Sequence, residues 1–472
     1  MLKRSITSLA RLLPLAAALA LTACATRAPE QTPPVKLPDT FLSGQSSDGT
    51  PISDRWWQAF DDKALDRLVG QALSDNLSLK AGYQRLIQAR ALADRQSASL
   101  FPSLDATAGA QRQESDNTDN TRYSAGLSAS YEVDLWGRVR AQSEAEELRA
   151  AASLADYQAA AISLSGEIAS TWFRLVEQRA QSELARDQLK TNQDVLKLIE
   201  TRFATGQSGS ADVLRQRQLV SSSRERLYSI EAERRILEHQ LAVLLGQSPG
   251  QAELPANNAL PELPPLPDTG IPADLLQQRP DIRQAWQLVK ASDKDLAAAI
   301  SNRFPRFSIE ASVTSQSSDA GDLFDNWLAT LAGNLVMPLI DGGQRQAEVR
   351  RTRSVKEQRL QEYGQTVLTA IQEVEDALAR EQQQTRRLEQ LEQQIRLSDA
   401  TYRQLRTQYL NGTVSYIEVL NALQDRQDLR RTLLTARQQL LGYRVALYRA
   451  LAGSPGNLTD QQQATNTESN EA

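Results

Sequence analysis

Tyr123-Ser124-Ala125-Gly126-Leu127-Ser128-Ala129-Ser130-Tyr131-Glu132-Val133-Asp134-Leu135-Trp136-Gly137-Arg138 changes its period part-way along. From Tyr123 to Leu135 apolar and polar residues alternate, which is a strand with one apolar and one polar face. At Trp136-Gly137-Arg138 the alternation stops, and a proline-free stretch rich in Ala, Leu, Gln, Glu and Arg runs to about Thr205. That composition reads as one long helix over residues 138–204. A strand of about a dozen residues suits a bilayer. The helix would be about 100 Å long at about 1.5 Å per residue. A membrane-length strand feeding so long a helix reads as a barrel standing on a helical tube.

Working outward, the strand forms a β-hairpin with an earlier one. Leu104, Ala106, Ala108 and Ala110 alternate with Asp105, Thr107 and Gly109, giving a first strand over about 103–111. Gln111 to Arg122 reads as a polar loop, and the second strand covers about 123–135. A helical pattern from Lys63 to about Leu100 leads in, with Leu65, Leu68, Val69 and Ala72 on one face, and Phe101-Pro102 ends it. Leu189, Asn192, Leu196, Ile199 and Phe203 mark a coiled-coil seam near the end of the long helix. A turn at Thr205–Gly209 leads into a second helix over about 211–245.

After a Pro-rich connector at 248–272 the order repeats. Asp274 to Asn302 reads as helix; strands follow at about 306–315 and 327–339, then helices at about 344–410 and 416–452. Pro102 corresponds to Pro305 and Gly137 to Gly342 at offsets of 203 and 205, and Gly206 corresponds to Gly412 at 206. Seam positions follow the offset of 206: Leu189/Ile395, Asn192/Ser398, Leu196/Tyr402, Ile199/Leu405 and Phe203/Tyr409. Prolines, glycines and seam residues in one register indicate duplication, with repeats at 56–247 and 273–453.

The 472 residues are 24% charged with a net charge of −5, too mild a balance for a nucleic-acid partner. Basic residues at Lys3, Arg4 and Arg11 precede an apolar run and Leu21-Thr22-Ala23-Cys24, which matches a lipoprotein signal cleaved after residue 23. Cys24 is the only cysteine and the expected acylation site, and Ala25 after it gives no sign of inner-membrane retention. Several acyl chains on one residue anchor firmly. Residues 24–55 read as an extended tether and 454–472 as a polar tail. Beyond the signal no run of 18 apolar residues occurs, so a membrane crossing must use a closed barrel.

Each repeat offers two membrane strands, and four strands cannot close. Two copies would give eight strands, whose interior fills with side chains, whereas three would give twelve and leave a lumen. The expected fold class is therefore mainly α with membrane β-strands, a trimeric 12-stranded β-barrel continuing into a long α-helical barrel.

Trp56-Trp57 with Phe60-Asp61, Phe101-Pro102-Ser103, Glu132-Val133-Asp134-Leu135-Trp136-Gly137-Arg138, Arg202-Phe203 with Gly206, Arg279-Pro280-Asp281-Ile282, Phe304-Pro305, Asp341-Gly342-Gly343, and Tyr409 with Gly412 form one ordered set. With these the chain resembles the TolC-like outer membrane efflux proteins, in their lipoprotein branch, over residues 50–453. The resemblance implies a homotrimer in outer membrane lipid, a periplasmic adaptor and an inner-membrane pump of the resistance-nodulation-division type. It also implies a passive exit duct for small molecules such as drugs. A duct for type I polypeptide secretion, or a non-pore coiled-coil lipoprotein in the periplasm, fits parts of the same pattern.

Asp212 and Glu418 follow the two turns at equivalent positions, so three copies would bring six carboxylates toward one axis. Such rings attract cations and repel one another, which favours opening. The resemblance implies a periplasmic gate there and matches Tyr409 to a linking tyrosine. This chain has Val414 where a basic residue often stands and Asn421 where a second acid often stands. Glu418 also fits a capping box with Ser415. The turns at Thr205, Gly206 and Gln207 and at Asn411, Gly412 and Thr413 are the expected adaptor contacts. No enzyme, metal or cofactor chemistry is indicated: the one histidine, His239, has no ligand set beside it.

Overall fold

The computed structural model describes residues 34–42, 53–115 and 118–451. A 3-10 turn at Trp56–Phe60 opens the main body. It leads to α1 (Lys63–Asp75), α2 (Leu77–Ser97), β1 (Ser103–Ser115), β2 (Thr118–Val133), α3 (Arg138–Ala204) and α4 (Ser210–Leu244). The connector ends in a 3-10 turn and a single helical turn, and α5 (Pro280–Ser301), β3 (Arg306–Ser317), β4 (Trp327–Val336), α6 (Gln344–Leu410) and α7 (Tyr416–Leu451) follow. Cys24 and the signal lie outside the described residues, as does the 454–472 tail.

The four strands form one antiparallel sheet in the order β1-β2-β3-β4. Their register lines up the two repeats: Ala106 faces Leu127 and Leu127 faces Val313, while Ala311 faces Leu331 and Phe307 faces Leu335. One face is therefore apolar across all four strands. Polar residues occupy most positions of the other rows, as in Asp105–Ser128–Ser312–Thr330, while β4 also places Leu328, Ala332 and Val336 there. A one-residue slip would exchange the faces, so the pattern specifies the register. The helices α2, α3, α5 and α6 neighbour one another in the same order as the strands they adjoin. Beyond them α4 packs on α3 and α7 packs on α6, with α7 also against α3. Each of α3 and α6 has 67 residues, about 100 Å at about 1.5 Å per residue. Among the described residues no helix is long and apolar enough to cross a membrane.

Several expectations need correction. The helix read from Lys63 to Leu100 breaks at Asn76, whose backbone is extended. Its side-chain oxygen accepts from the Leu79 amide at 2.9 Å and its amide donates to the Leu244 carbonyl at 2.9 Å. One side chain thus caps α2 and ties it to the end of α4. The Gln111–Arg122 loop is mostly strand: the ladder runs from Ser103 paired with Ser130 to Ser115 paired with Thr118. Backbone pairing persists where neither face needs to be apolar, so alternation understates strand length. At the other end β2 stops at Val133 and β4 at Val336, short of 135 and 339. The Asp134 carboxylate accepts from the Val139 and Arg140 amides at 3.1 and 2.8 Å, so the helix cap begins there. Asp341 does the same for Gly343 and Arg345 at 2.9 and 3.2 Å. Those amides hold its carboxyl below the usual carboxylate range. Residues 274–279 are not part of a long helix; Pro280, which needs no amide partner, starts α5.

The tether reading of residues 24–55 also changes. Phe41 is buried among Leu275, Ile282, Val289, Tyr363 and Val367, and the Leu42 amide donates to Glu375. Within it, residues 41–42 are docked through an aromatic anchor.

A second buried cluster gathers Trp56, Phe60, Trp172, Phe173 and Tyr448 where α1, α3 and α7 meet. Trp172 donates to Asp62 at 2.7 Å and Trp57 to Asp66 at 2.9 Å, whereas the Trp56 indole N–H is buried without a hydrogen-bond partner in the chain. The connector holds on differently. Its prolines carry no N–H and leave carbonyls to be partnered. Arg179 donates to the carbonyls of Pro255 and Asn257, and Arg444 to those of Pro264 and Pro265. Arg444 also grips Glu381 through two hydrogen bonds of 2.8 and 2.6 Å, and both residues are buried.

Replacing Arg444 by Met leaves Glu381 buried without its partner, a loss of about 3–5 kcal/mol. The expected readout is a lower thermal midpoint and faster cleavage at Glu262 by a glutamate-specific protease. Adding Glu381→Leu should recover most of the midpoint but not the protection of Glu262.

Candidate functional site

The two helical hairpins end in turns built alike. Gly206 and Gly412 have φ of 75° and 76°, a conformation open to glycine at little cost. Gln207 and Thr413 donate back to the carbonyls of Arg202 and Gln408 at 2.7 and 2.9 Å. This tight reversal keeps Thr205, Gly206, Gln207, Asn411, Gly412 and Thr413 exposed at the hairpin ends.

Below the turns Ile199, Val213, Tyr409, Tyr416, Leu420 and Leu423 form a buried cluster that joins the two hairpins, with Val414 partly buried against it. An apolar residue at 414 therefore packs, where a base would have to be desolvated. The rings of Tyr409 and Tyr416 lie 5.6 Å apart, and the Arg202 guanidinium sits 4.8 Å from the centre of the Tyr409 ring. The cation that meets the tyrosine thus comes from Arg202, the end of α3, and not from position 414. The Tyr409 hydroxyl and the Arg202 Nε are buried with no hydrogen-bond partner in the chain. Tyr416 donates to Gln216. Burial, with the nearby Tyr409 and Asp212, pushes the Tyr416 phenol well above its ordinary value.

The two carboxylates are not neighbours in one chain. Asp212 accepts from Ser208 at 3.0 Å and from Arg215 at 3.4 Å, and borders a cleft of about 580 Å³ with Arg202, Tyr409 and Tyr416. Glu418 and Asn421 are exposed and line a different groove, of about 720 Å³, between α6 and α7. The contact between Ser415 and Glu418 is side chain to side chain, the hydroxyl donating to the carboxylate at 3.3 Å.

Of the seam expected along α3, Ile199 is buried in the cluster below the turns with Leu196 packed against it and Asn192 is buried, whereas Phe203 is 48% exposed; the seam continues through Gln188, which is polar and buried. Gln427 of α7 donates to Asn192 Oδ1 at 2.8 Å, Gln188 to the Gln427 carbonyl at 3.2 Å, and Arg431 to Gln188 at 2.7 Å. Gln181 continues the ladder to the Arg431 carbonyl at 2.9 Å and to Glu177 at 2.9 Å. Arg202, Gln216 and Tyr416 are the members of the site that reading by period misses. They differ in type from their repeat mates Gln408, Ala422 and Ser210, and that divergence was the available signal.

A matching sheet and tube are found in known proteins. Residues 68–247 and 271–453 each match the family model described as outer membrane efflux protein. The chain belongs to that family. This efflux protein is 34% identical over 438 residues to the pyoverdine export outer membrane protein OpmQ of Pseudomonas aeruginosa, covering 88% of this chain and 90% of the relative. It is 28% identical over 454 residues to the cation efflux system protein CusC of Escherichia coli, covering 94% and 99%. In solved structures it is similar to the outer-membrane channel OprN, with a TM-score of 0.84 and 27% identity, covering 91% of this chain and all of that one. The open state of the Neisseria gonorrhoeae MtrE outer membrane channel superposes with a TM-score of 0.82 and 27% identity, covering 91% and 98%. The efflux protein is accordingly an outer membrane efflux channel with helical-barrel and β-barrel parts. Its family supplies the outer-membrane component of tripartite efflux systems.

A phenol raised in the fold stays protonated where the unfolded chain has begun to lose its proton. Tyr416 therefore contributes stability that is present below pH 10, its ordinary value, and is lost as pH rises beyond it. Stability of the purified protein should fall with pH above 10, and Tyr416→Phe should flatten that slope in thermal unfolding.

Proposed function

We propose that this efflux protein works as a passive exit duct, three copies closing one barrel and one tube. It is held in the outer membrane by the barrel and by acylation of Cys24, and is loaded through a periplasmic adaptor by an inner-membrane pump of the resistance-nodulation-division type. The observation that carries this reading is the four-stranded sheet: one apolar face spans every strand, and β1 and β4 are unpaired edges. Such edges do not persist in lipid, and cyclic repetition removes both with a single interface. A duct of this kind needs no catalytic centre, and we read the protein as a non-enzyme.

Small molecules are the favoured cargo, because the relatives are named for exporting pyoverdine, cations and toluene. The tip is the favoured gate: Asp212 beside Arg202, Tyr409 and Tyr416, with Glu418 and Asn421 on the groove next to it. The exposed turns at Thr205–Gln207 and Asn411–Thr413 are the favoured adaptor contacts.

A deletion strain should become more sensitive to a panel of toxic organic compounds or metal ions, and the intact gene should reverse this. An unchanged panel would remove the efflux reading. In planar bilayers Asp212→Ala with Glu418→Ala should raise single-channel conductance and lower cation preference; no change in either would clear both residues of a gating role. Cysteines at Thr205 and Asn411 should crosslink to the adaptor in cells.

A further inference from the structure

The two hairpin ends meet across the cleft of about 580 Å³, and its polar groups do not balance. Tyr409, from the end of α6, lines the cleft and is only 8% exposed, yet its hydroxyl has no hydrogen-bond partner in the chain. A buried hydroxyl without an acceptor is costly. Arg202, from the end of α3, lines the same cleft. Its guanidinium lies 4.8 Å from the centre of the Tyr409 ring, and its Nε is buried without a partner. Among the described residues no carboxylate pairs with it.

The start of α4 adds to the imbalance. Gly209, the N-cap of this 35-residue helix, also lines the cleft and offers no side chain to its first amides. Such amides carry partial positive charge. Asp212, the one carboxylate lining the cleft among the described residues, is held on the α4 side by Ser208 at 3.0 Å and Arg215 at 3.4 Å. The unmet groups are therefore all of one kind: a phenol O–H, a guanidinium and helix amides are donors. A water molecule can accept from the phenol but leaves the guanidinium charge as it was. A cation is repelled. An anion satisfies both. The repeat mates of Tyr409 and Arg202 are Phe203 and Gln408, with neither hydroxyl nor charge, so the hairpin fold itself does not require this pair.

We propose that the cleft binds a small inorganic anion, of halide size, which accepts from the Tyr409 hydroxyl and pairs with Arg202 beside the start of α4. The site is complete within one copy. It depends neither on how copies join nor on the carboxylates assigned to the gate. Arg202 and Gly209 belong to the first hairpin and Tyr409 to the second, so a bound anion ties the two hairpin ends together and its loss removes that tie.

The test uses the full-length protein in detergent, with bromide as the probe. Crystals grown in sodium bromide should show an anomalous peak at hydrogen-bond distance from the Tyr409 hydroxyl and beside Arg202. Exchanging a bulky organic sulfonate for bromide at constant ionic strength should raise the thermal midpoint saturably, by about 1–2 °C. Tyr409→Phe and Arg202→Met should each lose that response. Arg202→Lys keeps the charge and should retain part of it, which separates a bound ion from a packing defect. An empty cleft in the bromide map overturns the proposal whatever the midpoint does. A peak without a saturable shift marks an adventitious ion only and overturns it equally, as does a shift that both variants share. None of these results bears on the conductance test of Asp212 and Glu418.

Discussion

A backbone amide or carbonyl facing hydrocarbon has no partner, and each such group costs several kcal/mol. The rest of the molecule follows from that constraint. The sheet has four strands and therefore two open edges. Its apolar face is continuous because the register places alternate residues of both repeats in common rows. The helices inherit their order from the strands, since each adjoins one strand across a short capped turn such as Asp134 or Asp341. The wall is thus one object, a sheet in lipid and a helix layer in water. The change of solvent falls where the period changes.

The period-two and helical stretches were readable because burial writes them directly into residue order. The repeat was readable because glycine at 206 and 412 serves a backbone conformation that few other residues adopt. Features that depend on a distant partner were not. Asn76 breaks a helix because the Leu244 carbonyl lies beside it, 168 positions away. The strands run past their alternating part to Ser115 because a ladder requires only backbone. Phe41 sits in a stretch whose composition suggests a free tether, and nothing local shows that a pocket between distant helices receives it. At the tip, the cation over Tyr409 comes from the end of the other hairpin, so a search near position 414 could not locate it.

Polar seams have a distinct energetic character. An apolar seam is insensitive to small shifts, whereas Gln188, Asn192 and Gln427 are satisfied in one alignment and left unpaired in others. An unpaired buried group costs about 1–3 kcal/mol, so the ladder sets the alignment of α7 on α3 more sharply than leucines would. It also makes any alternative alignment discrete, because a new position must satisfy the same groups again. The cluster just below the turns is mostly apolar, and a buried link to the ladder runs from Tyr416 to Gln216 and on to the Asn192 carbonyl.

The two halves have diverged while keeping the same physical task. Glu238 and Arg444 are repeat mates, and each forms an ion pair with its long helix, but with the charges reversed. Arg179 of α3 faces Glu238 at 3.7 Å, and Glu381 of α6 faces Arg444 at 2.6 Å. In both cases the spare donors of the guanidinium reach carbonyls of the connector. A proline-rich strand cannot join a ladder, so it is held by cations from whichever helix carries one. Polarity along the pair is free to invert, because the connector needs donors and is indifferent to which side supplies them.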